Sequence, residues 1–176
     1  DLVGDGAGLG RSVGFRVPDG ELSCVVGIGS TLWDRLFSGP RPVGLHPFRE
    51  FVGSKHNALA TPGDLLFHIR AQRMDLCFEL AGHLVGRLAG HAQAVDEVHG
   101  FKFFDERDLI GFVDGPETPT GARARSAGTV GQYAGCFAGR RYVTVRTTLH
   151  GLAAGHVPTR EEHGRAARAQ QRTELE

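Results

Sequence analysis

Residues 64–90 change their hydrophobic period once, and that change restricts the fold more than any other feature of the chain. In DLLFHIRA (64–71), Leu65, Phe67, Ile69 and Ala71 alternate with Leu66, His68 and Arg70. Successive side chains of a strand point to opposite faces, so this stretch predicts a strand with one face in a core. RMDLCFELAGHLVGRLAG (73–90) then places Cys77, Leu80, Ala81, Leu84 and Leu88 at helical spacing, with Asp75, Glu79 and Arg87 largely off that stripe. Gly90 stops the predicted helix. A strand and a helix joined in this way each need cover for an apolar side, and packing one on the other supplies it.

The flanking stretches extend the pattern. LSCVVGIG (22–29) is a short apolar run bounded by glycine and predicts a buried strand. Ser30 is placed to cap TLWDRLF, where Trp33 and Phe37 fall four apart on one helical face, and Gly39-Pro40 ends that helix. Pro40, Pro42, Pro47 and Pro62 mark residues 40–63 as a connecting loop. AVDEVHGF (94–101) predicts a further strand, and RYVTVRTTLH (141–150) another, with Val143, Val145, Thr147 and Leu149 opposed to Tyr142, Thr144 and Arg146. Residues 1–20 are glycine-rich and aperiodic, and predict a loop with a short helical or extended piece. The glycines at 4, 6, 8 and 10 follow no strand, which argues against a dinucleotide-binding turn. Residues 121–139 are rich in Gly, Ala and Arg and read as loop, and Pro158-Thr159 opens a final, very polar helix. The sum is an α+β chain of sheet and helices.

At 176 residues the chain is long enough for one domain or two small ones, and for a real core. Lys plus Arg equals Asp plus Glu, 20 each, which gives no electrostatic footprint for nucleic acid or a membrane surface. Cys24, Cys77 and Cys136 lack metal-ligand spacing and read as reduced thiols. No apolar run reaches membrane-spanning length and no signal-peptide pattern is seen, so the expected location is cytoplasmic.

One carboxylate stands apart. GFVDGPETPTG (111–121) holds Asp114 between apolar Val113 and Gly115. An Asp-Gly surface turn is one explanation. The other is an acid facing a pocket, where desolvation disfavours the charged form of a carboxylate and readies it to carry protons.

TPGDLLFHIRA (61–71), MDLCFELA (74–81), EVHGFKFFDERDLIGFVDG (97–115), FAGRRYVTV (137–145) and LHGLAA (149–154) together resemble the bacterial branch of the DyP-type, dye-decolorising haem peroxidases. LSCVVGIGS and GLHPFRE in the first fifty residues agree, and Gly111, Asp114 and Gly115 form the family's Gly-x-x-Asp-Gly signature. The resemblance implies ferredoxin-like α+β repeats with antiparallel sheets packed by helices, as in the dimeric α+β barrel-like superfamily. The first repeat would span residues 1–103; residues 104–176 would hold the signature and part of a second.

It further implies heme b as cofactor, hydrogen peroxide and small organic reductants such as dyes or phenols as reactants, and no nucleic-acid or membrane partner. A homo-oligomer and an encapsulating shell protein are partners it allows. Asp114 would shuttle a proton over the distal face of the haem, with Gly115 and Glu117 at the pocket and Arg172 on a haem propionate. The signature ordinarily continues Thr-Glu-Asn-Pro, whereas this chain has Pro116-Glu117-Thr118-Pro119, and Pro116 removes a backbone donor beside Asp114. The family's axial histidine and distal arginine have no counterpart among residues 1–176; His150, His156 and His163 match neither. Two readings therefore stand: the front portion of a haem peroxidase, or a truncated, non-catalytic α+β domain of the same family that binds haem poorly. A ferredoxin-like domain for another small molecule is a third.

Overall fold

The computed structural model describes residues 2–54, 56–104, 107, 109, 119–130, 137, 139–145 and 147. Two compact units are formed: Asp1–Glu97 with Gln132–Phe137, and Val98–Gly131 with Ala138–Glu176.

The first unit is built on the predicted strand–helix pair. Strand β1 (Ser23–Ile28) runs antiparallel to β4 (Leu65–Arg70), pairing Cys24 with Ile69, Val26 with Phe67 and Ile28 with Leu65. These pairs share one face of the sheet, and Cys24, Phe67 and Ile69 pack from it onto the core. On the opposite face Val25 pairs with His68 and Gly27 with Leu66. His68 is exposed. Gly29 N–H donates to the Asp64 carbonyl at 2.8 Å and carries the pairing one step past the strands. A Cβ on Gly29 would overlap the Gly63 carbonyl oxygen, so only glycine fits there.

Helix α3 (Met74–Leu88) covers that face. Its fully buried line is Leu76, Leu80 and Leu84, while Cys77, Ala81 and Leu88 are half-buried. The predicted stripe was thus rotated slightly, omitting Leu76. Gly20 lies under Leu76 so closely that a side chain there would collide with it. Beside it, Gln72 N–H donates to the Gly20 carbonyl at 2.8 Å and Gln72 Nε2 donates to Glu21 Oε2 at 2.7 Å, holding Glu21 in a left-handed turn at φ 49°.

Four expectations are corrected. The first twenty residues are not chiefly loop: α1 (Leu2–Gly14) is a thirteen-residue helix, followed by a single 3-10 turn at Pro18–Gly20. Each interior glycine costs a helix about 1 kcal/mol relative to alanine. Leu9 and Val13, one turn apart, offset that by packing on α3, and Val13 is buried in its core. Ser30 is the first residue of α2 (Ser30–Leu36) rather than its cap; Gly29 holds the cap position and no side chain caps it. Residues 40–63 are mostly loop but contain a small hairpin, β2 (Phe51–Val52) with β3 (Asn57–Ala58), closed by Gly53 N–H on the His56 carbonyl at 3.0 Å.

The fourth correction concerns residues from 94 onward. Residues 94–101 form no strand, and neither do 141–145 and 147, the described part of the other predicted strand. Val95, Val98, Phe101 and Val145 are all exposed. Strand preference is largely packing against a neighbour, and among the described residues nothing covers these side chains. Residues 121–139, expected to be loop, instead begin with α4 (Gly121–Gly128). Ahead of it Phe103 and Arg107 form an isolated bridge. After it Val130 N–H donates to the Arg140 carbonyl at 2.7 Å, and Gly139 N–H donates back to Val130 at 3.1 Å. The final helix expected after Pro158 lies outside the described residues.

Candidate functional site

Asp114, Gly115, Glu117 and Arg172 all lie outside the described residues, as do Cys136, His150, His156 and His163. What the structure does give is the frame on the near sides of the signature. Before it, Arg107 N–H is shared by the Phe103 and Phe104 carbonyls at 3.0 Å each, and the two phenyl rings meet edge to face at 4.8 Å. Beyond it, Thr120 is extended and Gly121 turns the chain into α4 with φ 58°. The left-handed angle suits glycine, because a Cβ would meet the backbone.

Six histidines are among the described residues (His46, His56, His68, His83, His91 and His99), and all six are exposed. No three His, Cys, Asp or Glu side chains among the described residues gather in a metal-binding group. An axial ligand is held in a packed, oriented pocket, and none of these histidines is so held. The described residues therefore do not fit a haem iron.

The titrating groups here do structural work. Arg73 and Asp75 are joined by two hydrogen bonds at the start of α3; Arg73 holds the Asp75 carboxyl below the ordinary range, and Asp75 also accepts from Leu76 N–H at 3.1 Å. An acid in the first turn also complements the helix dipole. Burial pushes the Cys24 thiol up; burial first, and Asp75 second, push up Cys77. Both cysteines are free and half-buried, as their strand and helix positions imply. Trp33 meets Phe37, the residue just past α2, in a tilted pair at 4.4 Å, and meets Phe137 edge to face at 5.9 Å.

Sequence reasoning missed one cluster. On α3, Glu79 Oε1 is 3.4 Å from His83 Nε2 and 3.9 Å from Arg16, two residues past α1. The four-residue spacing of Glu79 and His83 was the available signal.

The N-terminal family of Dyp-type peroxidases matches residues 5–102, which include every strand of the first unit and α3. The chain belongs to the Dyp-type peroxidase family. It is 60% identical over 153 residues to a dye-decolorizing peroxidase of Rhodococcus erythropolis, covering 87% of this chain and 45% of that protein. Among solved structures it is similar to the encapsulated DyP-type peroxidase from Mycobacterium smegmatis, at 58% identity and TM-score 0.73, over 76% of this chain and 43% of that one. A DypB variant from Rhodococcus jostii RHA1 in complex with heme matches at 51% identity and TM-score 0.70, over 73% and 42% of the two chains. The chain thus spans under half the length of the relatives it matches. The ferredoxin-like α+β class follows from these neighbours together with the antiparallel β1–β4 pair under α3. Among the described residues no helix is long and apolar enough to cross a membrane.

Proposed function

We propose that this chain is the front portion of a cytoplasmic haem peroxidase that reduces hydrogen peroxide while oxidising dyes, phenols or similar donors. The observation that carries the reading is the 60% identity to a dye-decolorizing peroxidase across most of the chain. Heme b, when bound, supplies the redox-active iron. Asp114 takes a proton from one peroxide oxygen and returns it to the departing one, so that it leaves as water rather than as a charged species. Gly115 gives the turn the close approach it needs, Glu117 borders the pocket, and Arg172 pairs with a propionate. In the same proposal, residues 1–103 are the first ferredoxin-like repeat and residues 104–176 open the second. The Mycobacterium smegmatis neighbour, an encapsulated enzyme, supports a shell protein as a partner.

Asp114→Asn tests this in a form of the protein as long as its relatives. The change keeps the side chain's size and removes the base. Haem uptake is expected to persist, while the rate of reaction with peroxide in stopped flow drops ~10²–10⁴-fold. Peroxide kinetics unchanged at every pH would return the signature to being an Asp-Gly turn. The exposure of all six described histidines favours a second reading for residues 1–176 taken alone: a non-catalytic α+β domain that binds haem poorly.

A further inference from the structure

Residues 41–64 connect α2 to β4 and are exposed almost throughout; among those described, only Pro42 and Leu45 are half-buried. The stretch makes contacts of its own. Leu45 N–H donates to the Pro42 carbonyl at 2.9 Å, the β2–β3 hairpin closes at Gly53, and the Phe48 and Phe51 rings meet edge to face at 5.8 Å. Connections longer than about 12–15 residues in a packed domain usually serve as lids or binding segments. This one carries an apolar end, with Phe51, Val52 and Leu59 exposed by 65%, 78% and 66%. Its two ends are gathered at one place. Asp34 and Arg35 are consecutive on α2, and each faces one end of the stretch with the opposite charge. Arg41 Nη1 donates to Asp34 Oδ2 at 3.0 Å, and Arg35 Nη1 lies 3.9 Å from Asp64 Oδ2. Exchanging the ends would set acid against acid and base against base, so the charges decide which end goes where.

We propose that residues 41–64 form an arm latched to α2, with Asp34–Arg41 as the latch. When that pair parts, the arm swings as one body about its Asp64 end and carries the apolar hairpin with it. The two ends differ in how they are fixed. At the Asp64 end, Gly29 N–H donates to the Asp64 carbonyl at 2.8 Å, and that backbone bond holds whatever the side chains do. The Arg41 end is flanked by Pro40 and Pro42, which have no N–H to donate, so the guanidinium is left to hold it. Gly39, just before, has open space where a side chain would be, which gives the chain slack there. The latch is weak. The Arg41 and Asp34 side chains are 44% and 58% exposed, and an exposed pair holds by no more than ~5-fold. Salt screens it further, as the Debye length falls to about 3 Å at 1 M. An arm held this lightly opens within the folded chain and leaves the α3 core closed. The latch does not depend on haem or on Asp114.

Amide NMR relaxation dispersion of the isotope-labelled 176-residue chain tests this. Val43, Phe48, Val52 and Gly53 are expected to fit one shared exchange process, in which Leu80 and Leu84 take no part. Asp34→Asn should raise the open population by ~2–5-fold, the scale of losing one exposed ion pair. Salt raised to about 1 M should do the same to the unaltered chain and little to the variant. Asp34→Arg and Arg41→Asp should each open the arm, and the two together should return it toward the closed state. Arg49→Gln, in the middle of the arm, should leave the exchange unchanged. Far-UV circular dichroism shows whether each variant folds, and the salt series needs no variant at all. Arm amides that exchange at unrelated rates or not at all overturn the proposal. So does an open population indifferent to both Asp34→Asn and salt, or a reversed pair no more closed than its single changes.

Discussion

The Asp1–Glu97 and Val98–Gly131 stretches both carry apolar side chains, yet among the described residues only the first organises them into layers. In the first, α1, the β1–β4 pair and α3 close around Val13, Leu76, Leu80 and Leu84. In the second, Val98, Phe101 and Phe104 stay exposed, and regular structure among the described residues is limited to α4 and an isolated bridge. The difference shows that an apolar pattern becomes an element only when another element supplies the facing surface. A helix satisfies its own backbone, so α4 forms with most of its described residues exposed; a strand cannot.

The sharpest way to break this contrast is to remove one apolar side chain from each stretch. Leu80 is fully buried, and Leu80→Ala should cost ~2–5 kcal/mol by transfer loss plus cavity. Phe101→Ala, at an exposed position, should change stability by less than ~0.5 kcal/mol. Chemical denaturation followed by circular dichroism measures both, and equal effects would dissolve the distinction. Gly20→Ala probes the same layer through crowding. Its new methyl must displace the Leu76 side chain, at ~1–3 kcal/mol. A neutral result would mean that the α3 core accommodates extra volume and is less tightly closed than described.

What the sequence revealed followed the same division. The alternation of Leu65, Phe67, Ile69 and Ala71, and the helical spacing after Met74, are local signals whose partner elements lie within one unit. Those elements formed where they were expected. Helix α1 was hidden because its glycines oppose helix locally, and only the contact of Val13 with α3, sixty residues on, decides the matter. The strands expected at 94–101 and, over the described residues 141–145 and 147, in the second stretch are absent although their local propensity favours strand, and their described apolar side chains are largely exposed. Family membership was legible in the Gly-x-x-Asp-Gly signature and its neighbours, whereas Asp114, Gly115, Glu117 and Arg172 lie outside the described residues. Their roles remain a proposal.

Two smaller effects refine the picture of the first unit. Burial raises the pKa of Cys24 and Cys77, so less thiolate is present near neutral pH, and both should react with a thiol reagent more slowly in the folded chain than after denaturation. Native and denatured labelling rates that coincide would contradict their places on β1 and α3. The smallest effect concerns Asp75, whose carboxyl Arg73 holds below the ordinary range. Its folded pKa is depressed, so its contribution is present above the unfolded carboxylate pKa and is lost as pH falls through the folded one. Asp75→Asn should therefore remove a small part of the acid-side loss of stability and leave the rest of the pH profile in place. An unchanged acid limb would show that the pair is held too weakly at the surface to matter.

The central proposal is that this chain is part of a haem enzyme whose axial ligand is none of the six exposed, described histidines. Titration with haem, read by absorbance, tests it most directly when applied to this chain and to a form as long as its relatives. The longer form is predicted to take up one haem per chain with the spectrum of a histidine-ligated iron, and the 176-residue chain to take it up weakly and without that spectrum. Stoichiometric, histidine-ligated haem in the 176-residue chain, or no haem uptake by the longer form, would contradict the account.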